Sequence, residues 1–288
     1  MEPKKLSLQK NKLLGAKCGA KMRDKLILPP VGLGMWDYGG LLNPDHSRDH
    51  SELKAIEQAI SLGYRHFDTA EMYAAGHSEE LLGRALGGLN RSDFIITSKV
   101  KRENLSYQGI LSACDGSLRK LQTDYIDLYL IHWPSKDIPL AETFQALNRL
   151  VRVDKVRNVG VSNFDLPLLE EAVRISETPL FGNQVLYSLF HRKPQFDGTL
   201  EFCQEHELTL TAYSPLRNCD INHPTLVDVS ERLSVTPQQL AINWLIRQRN
   251  VVTIPKSSNR ERQRDNLEAV NLEVGEYDQR LLDDLIRA

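Results

Sequence analysis

Four side chains in this sequence have the chemistry of a proton-transfer site: Asp68, Tyr73, Lys99 and His132. A phenol has a reference pKa of about 10, too high for easy proton donation at neutral pH. A neighbouring ammonium stabilises the phenolate and lowers that value. Tyr73 beside Lys99, with Asp68 pairing the lysine, is therefore expected to be a tuned general acid. His132 is expected to donate a hydrogen bond to the same reacting oxygen and set the angle of approach. Such a set suits protonation of an alkoxide as it forms from a carbonyl. Each residue alone has a plainer reading: Asp68 as a turn or cap residue, His132 as a satisfied core histidine, Tyr73 as a packing aromatic. Lys99 is the hardest to explain that way, because a buried lysine is rare unless paired, and a buried pair is costly to desolvate.

The elements that must position these groups follow a strand–helix rhythm. Short apolar or β-branched runs recur at 28–34, 65–68, 94–100, 125–133, 156–161, 182–186, 208–213 and 251–254. Most are nearly continuous in hydrophobicity rather than alternating, as in strands buried on both faces of a parallel sheet. Between them lie helical stripes: Leu53, Ile56 and Ile60 with Gly63 as a C-terminal cap; Ile110, Leu111, Cys114, Leu118 and Leu121; Phe144, Leu147, Leu150 and Val151; Leu168, Leu169, Ala172 and Val173 with Asp165 as N-cap. Thr236 and Gln239 form a capping box around Pro237, and Ser258 with Glu261 reads as a second one.

Eight β/α units predict closure into an α/β (β/α)8 TIM barrel rather than an open doubly wound sheet. The first strand reads Val31-Gly-Leu-Gly-Met-Trp36, which lacks the third glycine of a dinucleotide fingerprint. Neither a Walker A sequence nor G-x-S-x-G occurs. Residues 26–288 are read as one barrel domain, and the Lys-rich residues 1–25 as a solvated extension or hairpin.

In such barrels the active site is built where strands end. Strand two ends in Asp68, three in Lys99 and four in His132-Trp133. Five runs into Ser162-Asn163, six carries Gln184, seven ends at Tyr213-Ser214 and eight at Lys256-Ser257. Stability does not explain a polar or titratable side chain at every one of these positions.

Composition excludes several classes. The 288 residues are 41% hydrophobic and 26% charged, which excludes disorder and fibrous repeats. With 36 basic and 38 acidic residues the net charge is -2, so neither nucleic acid nor an anionic membrane is an expected partner. Cys18, Cys114, Cys203 and Cys219 are scattered, which predicts free thiols in a cytoplasmic protein rather than disulfides or a zinc knuckle, and no metal site is expected. No apolar run is long enough to span a bilayer, and no apolar signal core is seen at the N-terminus. A monomer or weak homo-oligomer is expected.

These residues make the chain resemble the aldo-keto reductase superfamily. Gly63-Tyr-Arg-His-Phe-Asp-Thr-Ala-Glu-Met-Tyr73 is similar to its first signature, Leu130-Ile-His-Trp-Pro134 to the second, and Ile254-Pro-Lys-Ser-Ser-Asn-Arg-Glu-Arg262 to the third. Arg157-Asn-Val-Gly-Val-Ser-Asn-Phe164 also fits. The resemblance implies a barrel that binds NADP(H) in extended form and reduces a small-molecule carbonyl. It assigns Asp68, Tyr73, Lys99 and His132 to catalysis, with Tyr73 as acid in reduction and base in oxidation. Ser162, Asn163 and Gln184 would hold the nicotinamide carboxamide, and Tyr213 would stack on its ring. Ser214 and Leu216 would line the pyrophosphate path, near Gly34 and Met35. Lys256, Ser257 and Arg262 would take the 2′-phosphate, a sound reading of a lysine, a hydroxyl and an arginine near a helix start. Asp265 and Asn266 would approach adenine. Trp36 and Trp133 would wall the substrate pocket beside Tyr73 and His132.

Some positions depart from the family's pattern. Met35 stands where a small polar residue is frequent, Asp37 where a basic one is common, and Asp265 where Glu is usual. The segment from 216 to 236 and the stretch after Asn266 are short, which implies an open site of broad selectivity. Two other functions compete: a non-catalytic NADP(H)-binding regulatory subunit, and a metal-assisted hydrolase using His66, Asp68 and His132. Lys99 would set a positive charge beside such a cation.

Overall fold

The computed structural model describes residues 26–217 and 219–286. Its strands are β1 Leu33–Gly34, β2 His66–Asp68, β3 Ile95–Val100, β4 Ile126–Ile131, β5 Val156–Ser162, β6 Leu180–Leu186, β7 Thr209–Tyr213 and β8 Val251–Thr253. They pair in parallel, each with its neighbour in sequence. The ring closes through a bridge between Val31 and Thr253, with Gly32 N–H donating to Thr253 O at 2.8 Å and Thr253 N–H to Pro30 O at 2.8 Å. The sheet is the expected (β/α)8 barrel.

β1 is far shorter than the apolar run at 28–34 suggested. Pro29 and Pro30 have no N–H to give a ladder. At Gly34 a Cβ would lie 2.4 Å from Ile254 O, so only glycine lets β1 approach the chain leaving β8.

The helices are α1 Asp49–Leu62, α2 His77–Leu86, α3 Tyr107–Leu121, α4 Leu140–Arg152, α5 Leu166–Ile175 and α6 Lys193–Phe196. They continue as α7 Thr199–Glu205, α8 Pro224–Leu233, α9 Pro237–Ile246, α10 Arg260–Glu268 and α11 Glu276–Asp283. Gly63 caps α1 in the left-handed region at φ 109°. Asp165 accepts from Leu168 N–H at the start of α5, and Thr236 and Gln239 make the reciprocal capping box of α9. The second box does not form. Asn259, not Ser258, caps α10, because its side-chain oxygen accepts from Arg262 N–H. Ser258 is left exposed.

The core has two parts. On β4, Tyr129 and Ile131 join the large apolar cluster with the helices, whereas Leu128 and Leu130 pack with Leu28 and Val252 in a smaller one. That alternation is the inward and outward faces of a closed sheet. Among the described residues no helix is long and apolar enough to cross a membrane. The Lys-rich segment 1–25 lies outside the described residues.

Candidate active site

The ends of the strands deliver the four chemical groups to one place. Lys99 on β3 is fully buried. Its Nζ donates to Asp68 Oδ1 at 2.6 Å, to Thr69 O at 2.8 Å and to the Tyr73 hydroxyl at 3.2 Å. All three ammonium protons have acceptors, which is what a buried lysine requires. Asp68 Oδ2 accepts from Gln184 Nε2 at 2.7 Å, so both carboxylate oxygens are engaged. Gln184 was expected at a carboxamide. What the structure places there is a clamp on Asp68.

Tyr73 opens a tight turn, Tyr73–Gly76, held by unusual backbone. Ala74 and Ala75 sit at φ 49° and 53°, a left-handed conformation that costs an L-residue with a Cβ about 1–2 kcal/mol each. Bonds from Ala74 N–H to Leu41 O (2.8 Å) and from Lys120 Nζ to Ala75 O (3.1 Å) offset this. The Tyr73 ring meets Trp36 edge-on at 5.0 Å and His132 at 5.6 Å.

The electrostatics correct one expectation. Burial raises the Tyr73 phenol above its ordinary value, and Lys99 only partly offsets it. Burial works against charge on Lys99 as well, but Asp68 outweighs it, so Lys99 stays protonated with a raised pKa. The tuning thus keeps the phenol a secure proton carrier rather than a half-ionised one. Burial, with Lys99 adding to it, pushes His132 down to about 3. Its imidazole is neutral, and its Nδ1 is buried with no hydrogen-bond partner.

Asp68, Tyr73 and His132 line a cavity of about 660 Å³, within the usual range for small-molecule and cofactor sites, with Lys99 buried behind them and not itself lining it. Gly34, Met35, Trp36, Asp68, Tyr73, His132, Trp133, Ser162, Asn163, Gln184, Tyr213, Ser214, Leu216 and Lys256 all face it. Asn163 Nδ2 donates to His132 O and to Ser162 Oγ, both at 3.0 Å, while its Oδ1 accepts from the Tyr213 hydroxyl at 2.9 Å. Ser257, Arg262, Asp265 and Asn266 do not line it. Ser257 is buried against Asn259, Arg262 is exposed, Asp265 pairs with Arg264 at 3.4 Å, and Asn266 is buried under α10. Met72, Pro215, Arg217, Ile254 and Pro255 line the cavity but were not singled out from the sequence. Four of them adjoin residues that were, and Ile254 lies two residues before Lys256.

Asp37 takes a definite place. Its carboxylate lies 3.3 Å from Lys256 Nζ and 3.0 Å from Arg48. Burial opposes its charge, but Arg48 and Lys256 outweigh burial and hold the carboxyl below its ordinary value.

The metal-assisted alternative finds no support here. His66, Asp68 and His132 do not converge as a ligand set among the described residues. His66 Nε2 is within 2.9 Å of Thr97 Oγ1, and Asp68 is committed to Lys99 and Gln184.

The family model of the aldo/keto reductase family matches residues 30–219 and 222–287. This chain belongs to that family. It is an oxidoreductase of a class whose cofactor is NADP(H). A methylglyoxal reductase of Escherichia coli, YeaE, is 35% identical over 276 residues, covering 91% of this chain and 95% of that one. The solved thermostable aldo-keto reductase Tm1743, in complex with the inhibitor epalrestat, superposes with a TM-score of 0.88 at 44% identity, covering 90% of this chain and 95% of its own. An aldo/keto reductase of Klebsiella pneumoniae, solved with NADP and acetate, gives a TM-score of 0.83 at 35% identity, covering 90% and 92%.

Proposed function

We propose that this reductase transfers a hydride reversibly between NADPH and the carbonyl of a small aldehyde, ketone or 1,2-dicarbonyl. The observation that carries the reading is Lys99 Nζ placed between Asp68 Oδ1 (2.6 Å) and the Tyr73 hydroxyl (3.2 Å), behind the two residues that line the cavity. The donor set fits a dinucleotide. Amides from Asn163 and Gln184 and a hydroxyl from Ser162 suit a carboxamide, the Tyr213 ring suits a planar heterocycle, and Lys256 suits a phosphate. Bound NADPH supplies the hydride.

The chain's own residues do the rest. Tyr73 holds a proton at the carbonyl oxygen and releases it as charge develops there. Lys99 stabilises the phenolate left behind, and Asp68 keeps Lys99 charged and oriented. Neutral His132, with Nδ1 buried, offers Nε2–H to the same oxygen. Trp36 and Trp133, each 42% exposed, stand beside Tyr73 and His132 at the rim of the cavity. That open rim agrees with broad selectivity, and the YeaE relationship points to 1,2-dicarbonyls as first substrates to try.

The test is NADPH consumption, followed by absorbance, over methylglyoxal, glyoxal, simple aldehydes, ketones and sugar-derived keto acids. Tyr73→Phe is expected to lower kcat by roughly 10²–10⁴ while NADPH binding, read by fluorescence, survives. Tight NADPH binding with no consumption across the panel would instead favour a non-catalytic cofactor-binding subunit.

A further inference from the structure

Away from the cavity, His46, Asp49 and His77 each bring one ligand atom within 4.8 Å of the others. His46 lies on the turn before α1, Asp49 opens α1, and His77 opens α2. His77 is buried, and both ring nitrogens face carboxylates. Nδ1 is 2.8 Å from Glu80 Oε2, and Nε2 is 2.6 Å from Asp49 Oδ1. A neutral imidazole has one N–H. It can serve only one of these two carboxylates, so the other contact needs a second proton or a cation in its place.

The surroundings favour a cation at Nε2. Glu80 fixes a proton on Nδ1, the arrangement by which carboxylates orient metal-binding histidines. Asp49 stands at Nε2, and the His46 and His77 rings lie 4.2 Å apart between centroids. His46 Nδ1 is 3.7 Å from Asp49 Oδ2. In a tetrahedral zinc site, bonds of about 2.0–2.1 Å place neighbouring ligand atoms about 3.3 Å apart. To admit the ion the Asp49 Oδ1–His77 Nε2 contact must open from its 2.6 Å, and His46, which is exposed, is free to turn its ring towards the pair. Arg84 donates to Asp49 Oδ2 at 3.0 Å, which leaves Oδ1 for the metal.

We propose that His46 Nδ1, Asp49 Oδ1 and His77 Nε2 form a site for a borderline divalent transition ion of the zinc class, with water as fourth ligand. Two imidazoles and one carboxylate suit Zn²⁺ or Co²⁺ and not Mg²⁺, which demands oxygen ligands. The ion would join the β1–α1 connection, which carries Trp36, to the start of α2, directly after the Tyr73 turn. It would brace two walls of the cavity from outside without touching the chemistry.

Titration with Co²⁺ tests this, since four-coordinate cobalt has strong visible bands that the aqueous ion lacks. The wild type should bind one ion per chain with those bands, lose them on adding Zn²⁺, and ignore Mg²⁺. Zn²⁺ should raise Tm by several degrees. Binding should weaken at least tenfold, and the bands vanish, in His46→Ala, an exposed site where folding is not at risk. Asp49→Asn should do the same. No bands in the wild type, or unchanged binding in both variants, overturns the site. Neither readout depends on reductase activity, so it stands or falls separately from the proposed reaction.

Discussion

Lys99 Nζ lies 3.2 Å from the Tyr73 hydroxyl, yet the phenol keeps a pKa raised above its ordinary 10.0 because burial outweighs the ammonium. The direction fixes the pH behaviour. Carbonyl reduction uses the neutral phenol and alcohol oxidation the phenolate. Reduction by NADPH is therefore expected to stay flat in Tyr73 ionisation between about pH 6 and 9, while oxidation climbs with pH without a plateau in that range. Profiles of kcat in both directions check this. A Tyr73-dependent fall in reduction near neutral pH would show that the phenol ionises far more easily than its burial allows.

Removing the charge at Lys99 should harm folding as well as turnover. Lys99→Met leaves Asp68 buried with Gln184 as its remaining partner. Breaking one side of a buried pair costs about 3–5 kcal/mol. Urea unfolding should show a loss of that order, and kcat should fall with it. A loss below about 1 kcal/mol would mean that water reaches Asp68 freely.

At Lys256 the proposed phosphate contact would compete with a carboxylate already in place. Asp37 pairs with the ammonium at 3.3 Å, the same group proposed to meet the cofactor phosphate. Lys256→Ala or Arg262→Ala is expected to raise the KM for NADPH by about tenfold more than that for NADH, as loss of one charge-assisted contact implies. Asp37→Asn should do the opposite, lowering the NADPH KM by up to about fivefold, the range of an exposed ion pair. Asn tolerates the left-handed backbone that Asp37 adopts at φ 69°. Equal changes with NADH and NADPH would remove Lys256 and Arg262 from 2′-phosphate recognition.

Gly34→Ala tests the closure of the barrel. The new Cβ would meet Ile254 O at 2.4 Å, against backbone that has no rotamer to move. A loss of about 1–3 kcal/mol is expected from such overpacking. Because Gly34 also faces the cavity, cofactor affinity should fall together with stability. Full stability by thermal melt would mean that the seam between β1 and β8 is looser than its hydrogen bonds indicate.

What the sequence made legible follows from what each feature depends on. Strands β2 to β8 showed because strands buried on both faces need continuous apolar runs, and the rim residues followed from where those runs stop. β1 did not, because its length is set by Pro29, Pro30 and the close pass at Gly34. Helix α2 was not anticipated either. Its N-cap is Gly76, with no side-chain cap, so the usual start signal is missing. At α10 the spacing pointed to Ser258 as the cap, whereas its neighbour Asn259 has the geometry. The Asp37–Lys256 contact arises from loop paths that no spacing encodes, and the Gln184–Asp68 contact joins β6 to β2, strands that face each other only once the barrel closes. The net pKa direction at Tyr73 needed the burial, which a sequence does not display.

Glu79 offers a test of burial alone. It is completely buried on α2, accepts from Ser98 Oγ at 2.6 Å through Oε1, and has no partner at Oε2. Burial pushes its carboxyl up to about 7, from 4.5. Between these values the folded state holds a proton that the unfolded state has released. Stability is therefore lost as pH rises from 4.5 towards 7, and the penalty is constant above that. The shift corresponds to about 3 kcal/mol. Glu79→Gln cannot ionise, so its stability at pH 8 relative to pH 5 should exceed the wild type's by roughly that amount. The comparison uses the slope between two pH values, because the new amide N–H can add a constant cost of its own by staying unpaired. Urea unfolding of both proteins at the two pH values reads it directly. Parallel profiles would mean that Glu79 is charged in the folded protein at no cost, against everything its surroundings imply.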